Sequence, residues 1–132
     1  MSAPKLDSLD HLVITASDLS KTIAFYSDAL GMSSEAFEAG GSTRWALKFG
    51  NQKINLHQAG REFEPKARLP APGSADLCFL SQTPLENWIK HLRSLDIPIE
   101  DGPVPRTGAR FAITSIYLRD PDGNLIEISN QA

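Results

Sequence analysis

Two histidines and two carboxylates stand inside otherwise apolar stretches of this 132-residue sequence. They are His11, His57, Asp76 and Glu127, and the segment around each is typical of a β-strand. Strand side chains alternate between two faces, so an ionisable residue there either faces water or enters the interior at a desolvation cost. Imidazoles combined with carboxylates suit Zn²⁺, Ni²⁺, Mn²⁺ or Fe²⁺. These residue types therefore indicate a metal site that keeps open positions for substrate, which is the catalytic kind.

Taken one at a time, the same residues also have structural interpretations. A histidine in a strand is often hydrogen-bonded or half exposed, and Glu127 would be ordinary on a solvent-facing side of its strand. Only an arrangement that brings the four together favours the metal site over these interpretations.

An internal repeat provides that arrangement. A short apolar strand at 10–14 and a helical pattern over 19–30 return in the same order at 75–80 and 85–95. Three β-like stretches follow each helix, at about 33–38, 43–49 and 53–58 in the first half and at 97–100, 113–119 and 125–129 in the second. We therefore expect an α+β fold of two βαβββ modules, which form a cupped, partly open mixed β-barrel with the helices outside. The 132 residues are expected to form one domain, with module one at about 5–60, a connector at about 60–74 and module two at about 75–130.

Superposing the two halves matches His11 with Asp76 and His57 with Glu127. A twofold relation between the modules would then bring both pairs to one centre. All four residues are therefore candidate ligands of one metal ion.

Local signals predict where the helices begin. Asp18 is expected to cap the first helix and Gly31 to end it. The run Thr83-Pro84-Leu85-Glu86 predicts a capping box at the start of the second. His91, on that helix, is expected to face solvent.

Composition excludes several classes of protein. The net charge is −3, and the sequence lacks the stripe of Lys and Arg residues that nucleic-acid binding requires, so we expect no nucleic-acid partner. No apolar run approaches the roughly 20 residues of a membrane helix, and the first residues lack the pattern of a targeting signal, so we expect a cytoplasmic protein without a membrane anchor. The single cysteine, Cys78, lies in an apolar run and is expected to pack in the core.

The repeat and its motifs resemble the vicinal oxygen chelate superfamily of glyoxalases, bleomycin-resistance proteins and extradiol dioxygenases. The resemblance covers nearly the whole chain and is carried by LDHLVITASDLSKTIAFYSDALGM at the start and SIYLRDPDGNLIEISN at the end. The middle stretch GNQKINLHQAGREFEPKA, with PGSADLCF after it, resembles the glyoxalase domain-containing protein 5 subgroup. One departure is clear: lyases of the family commonly carry Glu or Gln where His57 stands, and His where Asp76 stands.

The resemblance implies one divalent metal, Zn, Ni, Mn or Fe, a substrate bound through vicinal oxygens, and a homodimer. With it, the predicted metal ligands are His11, His57 and Glu127, and Asp76 is a fourth ligand, a partner that orients a histidine, or a base. It favours a glyoxalase-like lyase or isomerase, in which Glu127 or Asp76 moves a proton and the small substrate is anionic or thiol-conjugated. Two other functions are open: an Fe²⁺ extradiol-type dioxygenase, and a binding protein that sequesters an antibiotic or other small molecule without catalysis.

Three further residues are candidates for substrate contact. Tyr117 precedes Glu127 on the adjoining strand and is equally compatible with core packing. Arg106 and Arg110 lie between glycines and prolines in a predicted loop at 102–112, which would either close over an anionic substrate or remain solvated.

Overall fold

The computed structural model describes residues 3–132, and its elements follow the order βαβββ-βαβββ. The predicted α+β fold of two such modules is confirmed. The bounds are β1 His11–Ala16, α1 Leu19–Asp28, β2 Ser33–Ala39, β3 Ser42–Phe49, β4 Gln52–Gln58, β5 Asp76–Leu80, α2 Leu85–Ser94, β6 Asp101–Thr107, β7 Ala112–Arg119 and β8 Leu125–Gln131.

Each module forms one four-stranded mixed sheet. Sheet A has the strand order β1-β4-β3-β2 and sheet B the order β5-β8-β7-β6, so the first and last strands of each module are parallel neighbours. The remaining pairs are antiparallel. No strand pairing joins the two sheets within residues 3–132, so the cupped arrangement is open and does not close into a barrel.

One core unites the modules. Alternation along the strands turns an apolar face of each sheet towards it, and both helices pack there. Its buried members include Ile14, Leu47, Ile54 and Leu56 of sheet A, Ile116, Leu118, Ile126 and Ile128 of sheet B, and Tyr26 and Leu92 of the helices. The alternate residues of the same strands, among them the predicted ligands, lie on the opposite, polar faces.

The registers of the two parallel strand pairs correct the superposition of the modules. His11 pairs with Lys53, and its counterpart Asp76 pairs with Leu125. Lys53 and Leu125 therefore occupy equivalent positions on β4 and β8. Two residues further along these strands, Asn55 is the counterpart of Glu127, and two residues further again, His57 is the counterpart of Ser129. The predicted match of His57 with Glu127 is therefore wrong.

The error arises at the turns between the last two strands of each module. Residues 50–51 join β3 to β4, whereas the longer stretch 120–124 joins β7 to β8. An alignment that runs through both turns without a gap displaces the strand that follows.

The predicted loop at 102–112 is also corrected. Residues 101–107 form strand β6, and the preceding stretch 97–100 is not a strand. Pro103 and Pro105 suggested a loop because proline has no N–H to donate to a sheet. Strand β6 is at the edge of sheet B, where proline is tolerated.

The helix starts agree with the prediction in one case only. The Asp18 side chain caps α1 by accepting a hydrogen bond from the Lys21 N–H, at 3.1 Å. Helix α2 has no cap from its own segment, so the predicted capping box is wrong. The Asn130 Oδ1 atom on β8 accepts from the Leu85 N–H instead, at 2.8 Å.

Neither helix of the described chain is long and apolar enough to cross a membrane.

Candidate functional site

A cavity of about 410 Å³ lies against the polar face of sheet A. Strands β1, β3 and β4 supply one wall, and residues 65–75 of the connector supply another. The polar groups that line it include His11, Arg44, Asn55, His57 and Lys66. Of the predicted site residues, His11 and His57 thus share a cavity, whereas Asp76 and Glu127 are outside its lining.

His57 is the buried histidine of this wall, with 8% of its surface exposed. Its ring packs edge-to-face on Phe63, with 5.6 Å between ring centroids. Burial lowers the pKa of His57, the Arg44 guanidinium lowers it further, and Glu62 partly opposes them. The imidazole is therefore held neutral at neutral pH, the form that accepts a proton or ligates a metal.

Arg44 and Asn55 carry unused hydrogen-bonding atoms. The Arg44 guanidinium carbon stands 4.0 Å from the centroid of the Phe63 ring. Its Nε atom and the Oδ1 atom of Asn55 are buried and have no hydrogen-bond partner among the described residues. Such atoms are rare in folded proteins and indicate a missing ligand, ion or water. Both residues line the cavity, so an unused donor and an unused acceptor lie within its wall.

His11 lies at the open end of the same face. Its side chain is 41% exposed, and its Nδ1 atom is 2.8 Å from the Asp10 carboxylate. The strand register separates it from His57 by four residues, or roughly 13 Å along the strand, but from Asn55 by only two residues, roughly 7 Å. Asn55 is therefore better placed than His57 to share a ligand with His11.

Glu127 lies on the polar face of sheet B. Its Oε2 atom accepts a hydrogen bond from the Ser115 hydroxyl at 2.6 Å, and the Ser129 hydroxyl is 3.5 Å away. Asp76 begins β5 opposite Leu125, two residues before the position of Glu127. The pair Asp76 and Glu127 thus repeats on sheet B the spacing of His11 and Asn55 on sheet A.

Cys78 pairs with Glu127 across the strands and is exposed, so its predicted place in the core is wrong. The alternation that buries Leu77 and Phe79 more deeply turns the thiol to the polar face. Partial desolvation, with the Glu127 charge as a smaller cause, raises the pKa of Cys78. At neutral pH it is a weakly nucleophilic thiol.

The three predicted substrate contacts all lie on module two. Tyr117 pairs with Glu127, and its hydroxyl accepts a hydrogen bond from the Arg106 Nε atom at 2.9 Å. Arg106 belongs to strand β6 and not to a loop. Arg110 is exposed and stacks on Phe111. Tyr117 and Arg106 accompany Glu127, and none of the three lines the cavity on sheet A.

The donor set only partly fits a divalent metal. Each sheet offers a half-site with two donors, His11 with Asn55 and Asp76 with Glu127, and the unused Asn55 oxygen suits a cation. Across residues 3–132, however, no group of three or more His, Cys, Asp or Glu side chains is arranged to hold a metal. One chain by itself keeps the half-sites apart.

Sequence reasoning missed Arg44 and Asn55. The available signal was alternation in the run QKINLHQ, which puts Lys53, Asn55 and His57 on one face. Lack of a partner for a buried atom, by contrast, is a tertiary property that no local pattern reports.

The lowered pKa of His57 predicts a pH dependence of stability. The unfolded chain binds a proton at this residue near pH 6.5, before the folded chain does, so acidification through that range should lower the free energy of unfolding. Urea unfolding of metal-free protein at about pH 7.5 and about pH 5.5 measures the loss, which should be smaller in His57→Gln. His11 and His91 are present in both proteins, so equal losses would mean that groups other than His57 cause the pH dependence. That result would contradict the assignment of the pH dependence to His57.

Comparisons with known proteins agree with this architecture. Residues 8–128 match the family model described as the Glyoxalase/Bleomycin resistance protein/Dioxygenase superfamily. Virulence protein STM3117 of Salmonella typhimurium is 56% identical over 124 residues, which cover 94% of this chain and 84% of that protein. The glyoxalase domain-containing protein RDO1 of Mycosarcoma maydis is 58% identical over 123 residues, covering 93% of this chain and 68% of that protein.

Solved structures share the fold. An integron cassette protein from the mobile metagenome of V. cholerae superposes with a TM-score of 0.93 at 53% identity, over 99% of this chain and 100% of the other. Lactoylglutathione lyase from Agrobacterium tumefaciens (TM-score 0.71, 24% identity, 96% of this chain and 95% of the other) and the antibiotic-binding protein TnmS3 from Streptomyces (0.75, 17%, 98% and 100%) show the fold alone. The chain therefore belongs to the Glyoxalase/Bleomycin resistance protein/Dioxygenase superfamily.

Proposed function

We propose that this chain is a divalent-metal-dependent lyase or isomerase of the glyoxalase type, acting on a small substrate held through adjacent oxygens. The observation that carries the proposal is the repeated half-site: His11 with Asn55 on sheet A, and Asp76 with Glu127 on sheet B. Together these residues supply one imidazole nitrogen, one amide oxygen and two carboxylates, a set suited to Mn²⁺, Fe²⁺, Ni²⁺ or Zn²⁺.

We further propose that a homodimer assembles the full site. Sheet A of one copy would face sheet B of a second, so that each site takes a half-site from each chain. Val13, on the face of His11, is 45% exposed, and Leu80, on the face of Asp76, is 52% exposed. Covering these apolar side chains would favour association of the two faces.

His57 and Asn55 are rival candidates for the second donor on sheet A. The resemblance to the family suggested His57, whereas the register favours Asn55 as the partner of His11. We propose Asn55 for the metal. His57 would then lie deeper in the cavity as a neutral proton acceptor or hydrogen-bonding group towards substrate.

The chemistry divides between the two faces. A bound divalent cation would supply Lewis-acid polarisation of two adjacent substrate oxygens, which acidifies a neighbouring C–H bond. Glu127 would accept that proton and return it to the neighbouring carbon, with Ser115 orienting one carboxylate oxygen by its hydrogen bond. The connector wall would limit the access of water to the cavity.

Elemental analysis tests this metal assignment. Protein purified without a histidine tag should contain close to one divalent ion per chain, and His11→Ala and Asn55→Ala should each lower that content by about tenfold or more. His57→Ala should retain the metal if Asn55 is the donor. Loss of metal in His57→Ala but not in Asn55→Ala would instead support the donor suggested by the family resemblance. A metal-free wild-type protein that also fails to take up Zn²⁺, Ni²⁺ or Mn²⁺ would contradict the proposal.

Turnover tests the reaction class. The metal-loaded protein should convert the hemithioacetal of methylglyoxal and glutathione, followed by the appearance of thioester absorbance. If none of the three metals supports turnover, this substrate is excluded.

One observation favours a second candidate function. Among the described residues of one chain, no three His, Cys, Asp or Glu side chains lie close enough together to hold a metal ion. This is compatible with a protein that binds a small molecule without catalysis. A metal-free protein with a tight ligand in the sheet A cavity would support that function. The dioxygenase alternative is weaker, because its usual metal set needs two histidines and one carboxylate, and the register separates His11 from His57 by four residues.

A further inference from the structure

We propose that Arg44 and its surroundings form an anion subsite, which binds a carboxylate or phosphate group on the ligand of the sheet A cavity. The inference rests on the proposed function only in taking this cavity as the substrate site. The inference adds that the ligand carries an anionic group, a carboxylate or a phosphate, in addition to the oxygens that are proposed to react.

The Arg44 side chain is held in place before any ligand arrives. Its guanidinium stacks on Phe63, which follows the end of β4 and also packs against His57. Stacking fixes the plane of the guanidinium, so little side-chain freedom is lost when its N–H groups bind an acceptor.

The same guanidinium has a donor that lacks an acceptor. Its Nε atom is buried and unpartnered among the described residues. No ion pair of Arg44 with an Asp or Glu of residues 3–132 is present either. A buried cationic donor without an acceptor is costly, and an anionic oxygen would remove that cost.

The charge of the cavity wall favours an anion. Arg44 and Lys66 line it together with two histidines, and no Asp or Glu of residues 3–132 belongs to the lining. Acidic groups do lie nearby: Glu64 pairs with Lys66, and the charge of Glu62 acts on His57. Neither of these carboxylates belongs to the wall around Arg44.

The size of the cavity points to an organic ligand. About 410 Å³ is within the range of small-molecule pockets, roughly 300–1,000 Å³, and far exceeds the volume of an isolated carboxylate or phosphate. An anionic group at Arg44 would leave room for a carbon skeleton that extends towards His11 and the open end of the face.

Nitrogen-15 NMR on metal-stripped protein tests the subsite directly. The Nε–H signal of Arg44, assigned by its disappearance in Arg44→Lys, should shift on titration with sodium acetate or sodium phosphate at constant ionic strength set by sodium chloride. Saturation with acetate at lower concentration would assign a carboxylate, and with phosphate a phosphoryl group.

Calorimetric titration of variants provides the matched comparison. Arg44→Gln should weaken binding of the better anion by at least about tenfold, because a charge-assisted hydrogen bond is lost. Arg93→Gln removes the same charge from an exposed arginine of helix α2, outside the cavity, and should bind as the wild type does. If Arg44→Gln does not fold, the NMR titration of the wild type decides.

Two results would overturn the inference: no saturable shift of the Arg44 Nε–H signal with either anion, or equal affinity in Arg44→Gln and the wild type. Because the protein is metal-free throughout, these results are independent of whether it turns over any substrate. Conversely, failure of the lyase assay would leave the anion measurements unchanged.

Discussion

Replacing Glu127 with glutamine is expected to lower kcat/KM of the metal-loaded protein by at least about 10². Glutamine keeps the size of the side chain and can still accept the Ser115 hydrogen bond, but it cannot take up a proton from substrate. Steady-state kinetics with the hemithioacetal measure the effect. Ser115→Ala is the matched control: it removes the orienting hydrogen bond, keeps the carboxylate, and should reduce the rate less than Glu127→Gln. Near-normal turnover by Glu127→Gln would exclude Glu127 as the proton acceptor.

The same variant tests whether each site is shared between two chains. In a homodimer with composite sites, His11→Ala and Glu127→Gln each damage every site. In a mixed dimer of the two variants, one site carries both changes and the other carries neither. Mixing the two inactive proteins under conditions of subunit exchange should therefore restore activity, up to about half of the wild-type rate per mixed dimer. No recovery, with exchange verified by mass spectrometry, would contradict the composite site.

Asp120→Ala is expected to destabilise the fold by about 3 kcal/mol, the largest predicted effect on stability. The Asp120 side chain is 5% exposed and accepts hydrogen bonds from the backbone N–H groups of Asp122 and Asn124, the Asn124 side chain and the Tyr26 hydroxyl. The Tyr26 bond, at 2.8 Å, joins α1 of module one to the final turn of module two. Alanine would leave several of these donors buried without an acceptor.

Thermal unfolding measures this prediction, with an expected decrease in Tm of roughly 10 °C. Tyr26→Phe removes only the link between the modules and should cost about 1 kcal/mol. Burial and the Asp120 carboxylate raise the pKa of Tyr26 well above its usual value, so its hydroxyl remains a donor at all working pH values. Asp7→Ala changes an exposed carboxylate and should leave Tm unchanged. An Asp120→Ala variant as stable as Asp7→Ala would contradict this account.

Much of the fold was predictable because it depends on the local periodicity of apolar residues along the chain. The alternating apolar pattern, the three- and four-residue helical spacing and the repeated order of elements predicted two βαβββ modules, which the strand pairings confirm. The Asp18 cap was equally local. The loop prediction at 102–112 failed because prolines at a sheet edge resemble those of a loop, and edge position depends on which strands pair.

The capping box at α2 failed for a related reason. The run Thr83-Pro84-Leu85-Glu86 has suitable residue types, but Asn130, far along the chain, supplies the acceptor for the Leu85 N–H. Local patterns report which partners lie nearby in sequence. They do not report a hydrogen-bond acceptor, such as the Asn130 side chain, that the fold places beside the helix from a distant strand.

The sequence by itself determined the modules, the strands on which His11, His57, Asp76 and Glu127 stand, and the family. Tertiary structure decided the register, and with it the correspondence of Asn55 to Glu127 and the four-residue separation of His11 from His57. It also decided that the Arg44 Nε atom is buried without an acceptor while the guanidinium lies over Phe63. The physical reason is that periodicity sets which face a side chain occupies, whereas turn lengths and long-range packing set which neighbour it meets there.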